Sequence, residues 1–299
     1  MYLDSNKLST LHKRYPKKRA AITGAGSGLG KSLALELIRH GWTLFLNDVN
    51  KTLLKETKSN CQNLLSQSDT VKIYDYHFDV SNYNEFSNAT KQFLANEGGV
   101  DLVFTCAGIG VGGSFLETSN EDFTEVLDIN LLGTIWAGKL FLPSMVEANS
   151  GHFITIASAA AFHSLPHLSG YSASKAAVVQ LSETLRSEMK PHGVDITVKM
   201  TTFYTSSIGD FTRGPMMEQE KAKALVAMAP WSAKEVAKVL LLTVQKRKFY
   251  MVAPKQASFL WRFKRFLPEI YLRLVPKLFP KLEAKLLTKS AEIGINNDV

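Results

Sequence analysis

The sequence predicts an α/β fold: a doubly wound parallel sheet in a single domain, followed by a basic amphipathic helical extension. Three observations predict it. From residue 18 onward, short β-rich apolar runs alternate with segments of helical periodicity. A glycine-rich turn joins the first such run to the first helix. The net positive charge belongs to the C-terminal part of the chain and to a small cluster, "HKRYPKKR", near its start.

The apolar runs read as strands at Ala20–Thr23, Thr43–Asn47, Lys72–Phe78, Leu102–Cys106, His152–Ala157, Asp195–Met200 and Phe249–Val252. Between them lie helical patterns such as Lys31–His40 and Ala173–Met189, and Ser119 with Asp122 and Ser232 with Glu235 resemble capping boxes. Strands alternating with helices build right-handed βαβ units, so both faces of the sheet are covered. Ligands of such sheets bind at the carboxyl ends of the strands. The expected organisation is an N-terminal extension over 1–17, a catalytic domain over 18–254 with a lid near 203–230, and the extension over 255–299.

Composition narrows the function classes. The chain has 299 residues, 45% of them hydrophobic and 21% charged, which is ordinary for a globular protein. No apolar run reaches the roughly 20 residues of a membrane-spanning helix, and the N-terminus lacks the apolar core of a signal peptide. Two cysteines, Cys61 and Cys106, argue for a reducing compartment, so the expected location is cytoplasmic. The window Lys246–Lys289 holds twelve Lys or Arg against Glu269 and Glu283, a net +10 set against +8 for the whole chain, which leaves the remainder at −2. A nucleic-acid partner therefore has no support from the main body, and no metal site is expected.

The turn in "ITGAGSGLGKSLALELI" carries Gly24, Gly26, Gly28 and Gly30 between a strand and a helix. Glycine permits a tight turn and close approach of a pyrophosphate, and the helix N-terminus offers free N–H groups and a partial positive charge. A plain strand-to-helix turn is the alternative, because the spacing is not G-x-G-x-x-G. Asp48 ends the second strand 18 residues after Gly30, where an acid can accept ribose hydroxyls and repel a 2′-phosphate. That favours NAD over NADP; a turn or helix cap is the alternative role for Asp48. Asp79, at the end of the third strand, could receive an adenine amino group or cap a turn with Ser81.

Tyr171 and Lys175 stand four apart at the start of a helical segment, on one face. Of nine tyrosines only Tyr171 has a lysine four residues on. A phenol titrates near 10, and lowering it by two to three units needs roughly 3–4 kcal/mol, which two nearby positive charges can supply. Ser158 ends a strand thirteen residues earlier and could polarise a carbonyl. Asn130, inside a helical pattern, reads as a satisfied buried polar group.

Together these residues resemble the short-chain dehydrogenase/reductase family over about residues 18 to 252, on "TGAGSGLG", Asp79, "CAG", "IN" at Ile129–Asn130, Ser158 and "YSASK". The resemblance implies a Rossmann-like fold, Tyr171 as acid/base, Lys175 on the nicotinamide ribose, Ser158 orienting the substrate, and Asn130 holding a water that links the lysine to solvent. It implies a cofactor site of Thr23, Gly24, Ser27, Gly28, Leu29, Gly30, Asp48, Asp79, Val80, Ala107, Gly108, Tyr171, Lys175 and Thr205. Two departures stand out: Thr105-Cys106 where the family often has two asparagines, and Thr201-Thr202 where it usually has Pro-Gly. The second leaves Thr205 or Ser206 to contact the nicotinamide amide. The family also implies a homo-oligomer, dimer or tetramer.

The expected lid carries Phe203, Tyr204, Ile208, Phe211, Met216 and Met217; such residues either take an apolar ligand or pack the lid on the domain. His163 and His167 either line the same pocket or are plain loop residues. In the extension, apolar residues recur at helical spacing from Phe259 to Leu282, broken by Pro268, Pro276 and Pro280, with Lys and Arg between them. That pattern favours peripheral contact with anionic lipid over a docked helix. The reading is an NAD-preferring oxidoreductase of a lipophilic alcohol or carbonyl, of retinoid, steroid or long-chain type. The alternatives are an NADPH-dependent ketoreductase and a non-catalytic dinucleotide-binding scaffold or membrane adaptor.

Overall fold

The computed structural model describes residues 8–66 and 70–278. All seven predicted strands form: β1 Arg19–Thr23, β2 Thr43–Asp48, β3 Ile73–His77, β4 Leu102–Thr105, β6 Gly151–Ile156, β7 Val194–Thr201 and β9 Tyr250–Ala253. They make one parallel sheet in the order β3-β2-β1-β4-β6-β7-β9. Two short strands, β5 Gly110–Val111 and β8 Thr212–Arg213, pair apart from it. β1 and β4 are neighbours although the chain visits β2 and β3 between them, so the direction of winding reverses there and opens a crevice at their carboxyl ends.

Each face of the sheet carries one core layer. The first layer lies under α2 (Gly28–Ile38) and α10 (Ala233–Gln245), with Leu33, Leu37, Leu240 and Val244 fully buried. The second lies under α4 (Tyr83–Glu97), α6 (Gly133–Glu147) and α8 (Ser169–Met189), where Phe45, Phe93 and Phe141 meet edge to face. The central strands β1, β4 and β6 are buried along their whole length, which is why they read as continuous apolar runs without alternation. Ser232 and Glu235 form the expected capping box of α10, and Ser119 accepts the Asp122 N–H at the start of α5 (Asn120–Leu127). A π turn at Asp128–Leu132 joins α5 to α6. The resulting continuous helix 120–147 is long and apolar enough to cross a bilayer, but Ala137, Phe141 and Met145 are fully buried against the sheet.

Residues from Leu8 onward join the first layer. Leu8, Leu11 and Tyr15, flanking and within α1 (Ser9–Arg14), are buried there, and the Leu11 N–H donates to Gln245 Oε1 at 3.3 Å. At the other end, α11 (Lys255–Phe266) follows β9, and a further helical segment covers 268–278. Pro268 opens that segment at a position where no N–H is needed. Pro276 does not break it: the helix continues to residue 278. Pro280 and the rest of the tail lie outside the described residues.

Leu11→Ala is expected to destabilise the fold by about 3 kcal/mol, because it leaves a cavity in a closed layer. The exposed Lys13→Ala should change little. Urea denaturation of the two variants checks this.

Candidate active site

The glycine turn between β1 and α2 is a tight cradle. Gly24 has φ +63°, and a methyl there would lie 2.7 Å from the backbone of Ala107. A methyl on Gly30 would meet the Gly24 carbonyl oxygen at 2.1 Å. The Ala107 N–H donates to Thr23 Oγ1 at 3.2 Å, which ties the end of β1 to the segment after β4. Ser27 is the N-cap of α2, yet its side chain takes no capping bond. The first N–H groups of α2 are thus not capped by the Ser27 side chain, and such a helix start at the end of β1 suits a phosphate. Leu29 is buried behind them.

Asp48 takes the turn-shaping role. Its Oδ2 accepts the Gly26 N–H at 2.8 Å and its Oδ1 accepts the Asn50 N–H at 2.8 Å. A carboxylate has about four acceptor positions, so this one shapes the turn and keeps capacity for ribose hydroxyls. Asp79 Oδ1 accepts from the Ser81 N–H and Oγ at 2.9 and 2.8 Å, the turn-capping alternative. Asp79 also lines an open cleft of about 380 Å³ with Glu121, Glu125 and Asp128. Val80 is buried and packs close to Gly133. These residues fit a dinucleotide: close glycine backbone, uncapped helix amides and an acid at the end of β2.

The second half of the site converges from three elements. Tyr171 and Lys175 share one face of α8, and the ammonium stands 5.7 Å from the phenol ring centroid. Ser158, just past β6, lies beside the Tyr171 phenol and accepts the Ala160 N–H at 3.2 Å. Burial pushes the Tyr171 phenol above its usual value, and the Ser158 hydroxyl works against that rise. Lys175 donates to the Ile156 carbonyl at 3.1 Å, and burial pulls its ammonium down to about 8.

Asn130 lies in the π turn and is fully committed. Its Oδ1 accepts the Ile109 N–H at 2.9 Å, and its Nδ2 donates to the Ile109 carbonyl at 3.1 Å and to Ser174 Oγ at 3.0 Å. It fastens the segment after β4 to α8. Gly108 passes between: a methyl there would stand 2.8 Å from Asn130 Oδ1 and 3.3 Å from Lys175 Nζ. Gly108 is what lets the two elements close on the lysine.

After β7, Thr205 is exposed and its backbone pairs with Trp231 and Ala233. Ser206 instead lies against the glycine turn, 3.3 Å from where a Gly28 Cβ would stand. The segment expected to form a lid is tied down: β8 pairs with β5, and Arg213 forms a bidentate pair with Glu125 at 2.9 and 3.0 Å. Phe211 packs with Ile109, Val111 and Tyr171 in a small apolar cluster, whereas Phe203, Met216 and Met217 are exposed. The His163 carbonyl accepts the Tyr271 phenol at 3.0 Å, and Ser164 Oγ accepts from Lys264 at 2.6 Å. The segment carrying His163 is therefore bound to the tail, and burial pulls the imidazole down to about 4. The His167 carbonyl accepts the Gly113 N–H at 2.9 Å, on the same rim.

One residue escaped the sequence reading. Lys199, in β7, is only 2% exposed. Its ammonium stacks 4.2 Å from the Tyr204 ring centroid and feels both Lys175 and Cys106. The available signal was a lone charge inside the apolar run "ITVKM".

Comparison with known proteins adds to this geometry. The family model described as short chain dehydrogenase matches residues 18–212. The human protein named estradiol 17-beta-dehydrogenase 11 is 30% identical over 275 residues, covering 88% of this chain and 85% of its own. The mouse protein named epidermal retinol dehydrogenase 2 is 29% identical over 261 residues, covering 85% of this chain and 81% of its own. The crystal structure of a short chain dehydrogenase/reductase from Burkholderia phymatum in complex with NAD superposes with a TM-score of 0.79 at 28% identity, covering 85% of this chain and 94% of its own.

Gly108→Ala should cost about 1–3 kcal/mol of stability, because Asn130 is held from three sides and cannot give way. Gly138→Ala, in α6 with no neighbour nearer than 3.6 Å, should be neutral or stabilising by under about 1 kcal/mol. Thermal denaturation of the pair measures both.

Proposed function

Because the chain belongs to the short-chain dehydrogenase family, we propose that it is an oxidoreductase working with a nicotinamide dinucleotide on a lipophilic primary or secondary alcohol or the matching carbonyl. The observation that carries the reading is the convergence of Ser158, Tyr171 and Lys175 beside an uncapped helix N-terminus and a glycine turn. The bound nicotinamide would supply the hydride acceptor or donor. The chain's own residues handle the proton and the geometry.

Tyr171 carries the proton between the substrate oxygen and the protein. Ser158 donates its one O–H to the same substrate oxygen and so orients that oxygen toward the phenol. Lys175 stabilises the phenolate through its charge, since a nearby cation favours the ionised form. Asn130 acts by position: it fixes the Ile109 backbone and α8 together, and so fixes Lys175 against Tyr171. The turn after β1 and the α2 amides bind the pyrophosphate, and Asp48 takes the adenosine ribose. Asp48 supports NAD over NADP, because a carboxylate already engaged with Gly26 and Asn50 cannot swing away from a 2′-phosphate. Ser206, facing Gly28, suits the contact to the nicotinamide end better than Thr205, whose backbone is engaged elsewhere.

The apolar wall of Ile109, Val111 and Phe211 beside Tyr171 supports a lipophilic substrate, and the names of the human and mouse relatives point to the steroid and retinoid classes. We take residues 18–254 as the catalytic domain, with the lid at 203–230, and 255–299 as an extension. Its helices expose Phe259, Phe266, Ile270 and Leu272 among Arg262, Arg273 and Lys277, a mixture that suits an anionic bilayer surface. The contacts of Tyr271 and Lys264 with the His163–Ser164 segment would set that surface beside the substrate side of the site. The protein would then be cytoplasmic and peripheral to a membrane.

Tyr171→Phe should lower kcat by about 10²–10⁴-fold in a nicotinamide absorbance assay, with dinucleotide affinity retained; full turnover would contradict the mechanism. The triple change Arg262→Glu, Arg273→Glu and Lys277→Glu should abolish co-sedimentation with phosphatidylserine vesicles while turnover of a water-soluble substrate persists. Unchanged co-sedimentation would contradict the membrane reading.

A further inference from the structure

Lys199 has no part in the mechanism above, and its placement is unusual for a lysine. Lysine side chains ordinarily carry their charge out to water; this one is buried to 2%. Its register partners on either side are Ile156 and Met251, and both belong to the core layer under α2. Its stem therefore rises on the same side of the sheet as the glycine turn. Cys106 and Tyr204 pack against that same layer.

The groups facing the ammonium come from three elements. From α8 comes Lys175, from the end of β4 the Cys106 thiol, and from the segment after β7 the Tyr204 phenol, stacked at 4.2 Å. The charge of a Tyr171 phenolate would act on Tyr204 as well. None of these is a carboxylate, and among the described residues no ion pair forms at Lys199. The Cys106 backbone in turn abuts the Gly24 turn, and Ser206, two residues beyond Tyr204, abuts Gly28. The residues around Lys199 thus adjoin the dinucleotide turn on one side and the Tyr171–Lys175 pair on the other.

Resting on the proposed function, which puts the nicotinamide beside Lys175 and Tyr171, we propose that Lys199 senses the charge of the nicotinamide ring: its ammonium favours the reduced, uncharged ring and resists the oxidised, cationic one. Two cations confined to one desolvated cleft repel, and the pyrophosphate is common to both forms, so the discrimination falls on the ring. Burial, with Lys175 adding to it, pulls the Lys199 ammonium down to about 7. The sign follows. Below about pH 7 Lys199 is charged and oxidised cofactor binds more weakly relative to reduced. Above it the proton leaves and the penalty fades. Binding of the oxidised form at neutral pH releases the Lys199 proton.

The test is a titration of the whole protein with NAD+, NADH and ADP-ribose from pH 5.5 to 9, by calorimetry and by NADH fluorescence. In the wild-type protein the ratio of the NAD+ to the NADH dissociation constant should fall by about tenfold, one pKa unit of coupling, in a step centred near pH 7. Lys199→Met should remove that step and lower the ratio about tenfold at pH 6. A later step near pH 8 should remain, because it belongs to Lys175. Lys199→Arg should lose the step near pH 7, hold the low-pH ratio through it, and show only the later Lys175 step near pH 8. ADP-ribose lacks the nicotinamide, so its affinity should be the same in all three proteins, and it reports whether each variant folds. A wild-type ratio that is flat through pH 7, or a step that survives in Lys199→Met, overturns the inference and leaves the proposed function standing. Failure of the wild-type protein to bind either NAD+ or NADH removes the proposed function and this inference with it.

Discussion

The approach of Gly24 to Ala107 is the contact on which the site is built. It joins the carboxyl ends of β1 and β4, the two strands between which the winding reverses, and leaves no room for a methyl group. Thr23 and the Ala107 N–H close the same gap by a hydrogen bond. Once these ends are fixed, Ala107 and Gly108 run directly toward the π turn, where Asn130 grips the backbone of Ile109. Asn130 also holds Ser174 on α8. A chain of short, directional contacts thus connects the glycine turn to the helix that carries Tyr171 and Lys175. None of these links depends on the lid or the tail.

The electrostatics at the centre are those of cations without local counter-ions. Lys175 donates to a carbonyl, and Lys199 rests on the Tyr204 ring face. Burial makes both ammonium groups easier to deprotonate and makes the phenols and Cys106 harder to ionise. The pocket therefore opposes every charge in it until one of opposite sign arrives. A dinucleotide brings a pyrophosphate, and a phenolate arises at Tyr171 as the proton moves; each relieves the lysines. A protein lacking both would hold this arrangement at a steady cost in stability.

Much of this was legible in the sequence. The seven strands, the glycine turn and the pairing of Tyr171 with Lys175 follow from local pattern, because β-runs, glycine spacing and an i, i+4 pair are all short-range signals. Asn130 was legible only in part. As a residue in an apolar helix it read as structural, and its hydrogen bonds are those of a structural group; the family resemblance alone gave it a role in the site. Lys199 was not legible. A strand covered on both faces has no alternation of polar and apolar residues, so a lone charge within it gives no direction. Its neighbours Cys106, Lys175 and Tyr204 come from three distant parts of the chain. The burial of Leu8 and Leu11, and the grip of the tail on the His163–Ser164 segment, are likewise long-range contacts. The continuation of the tail helix through Pro276 shows the limit of treating every proline as a stop.

The central claim is that this site moves a hydride directly between a carbinol carbon and a nicotinamide. A lipophilic alcohol deuterated at its carbinol carbon, supplied with oxidised dinucleotide, tests it by mass spectrometry of the products. The account predicts that the deuterium appears at C4 of the reduced nicotinamide, on one face of the ring. Deuterium lost to water, or no transfer to the cofactor across primary and secondary alcohols of steroid, retinoid and long-chain type, would contradict it.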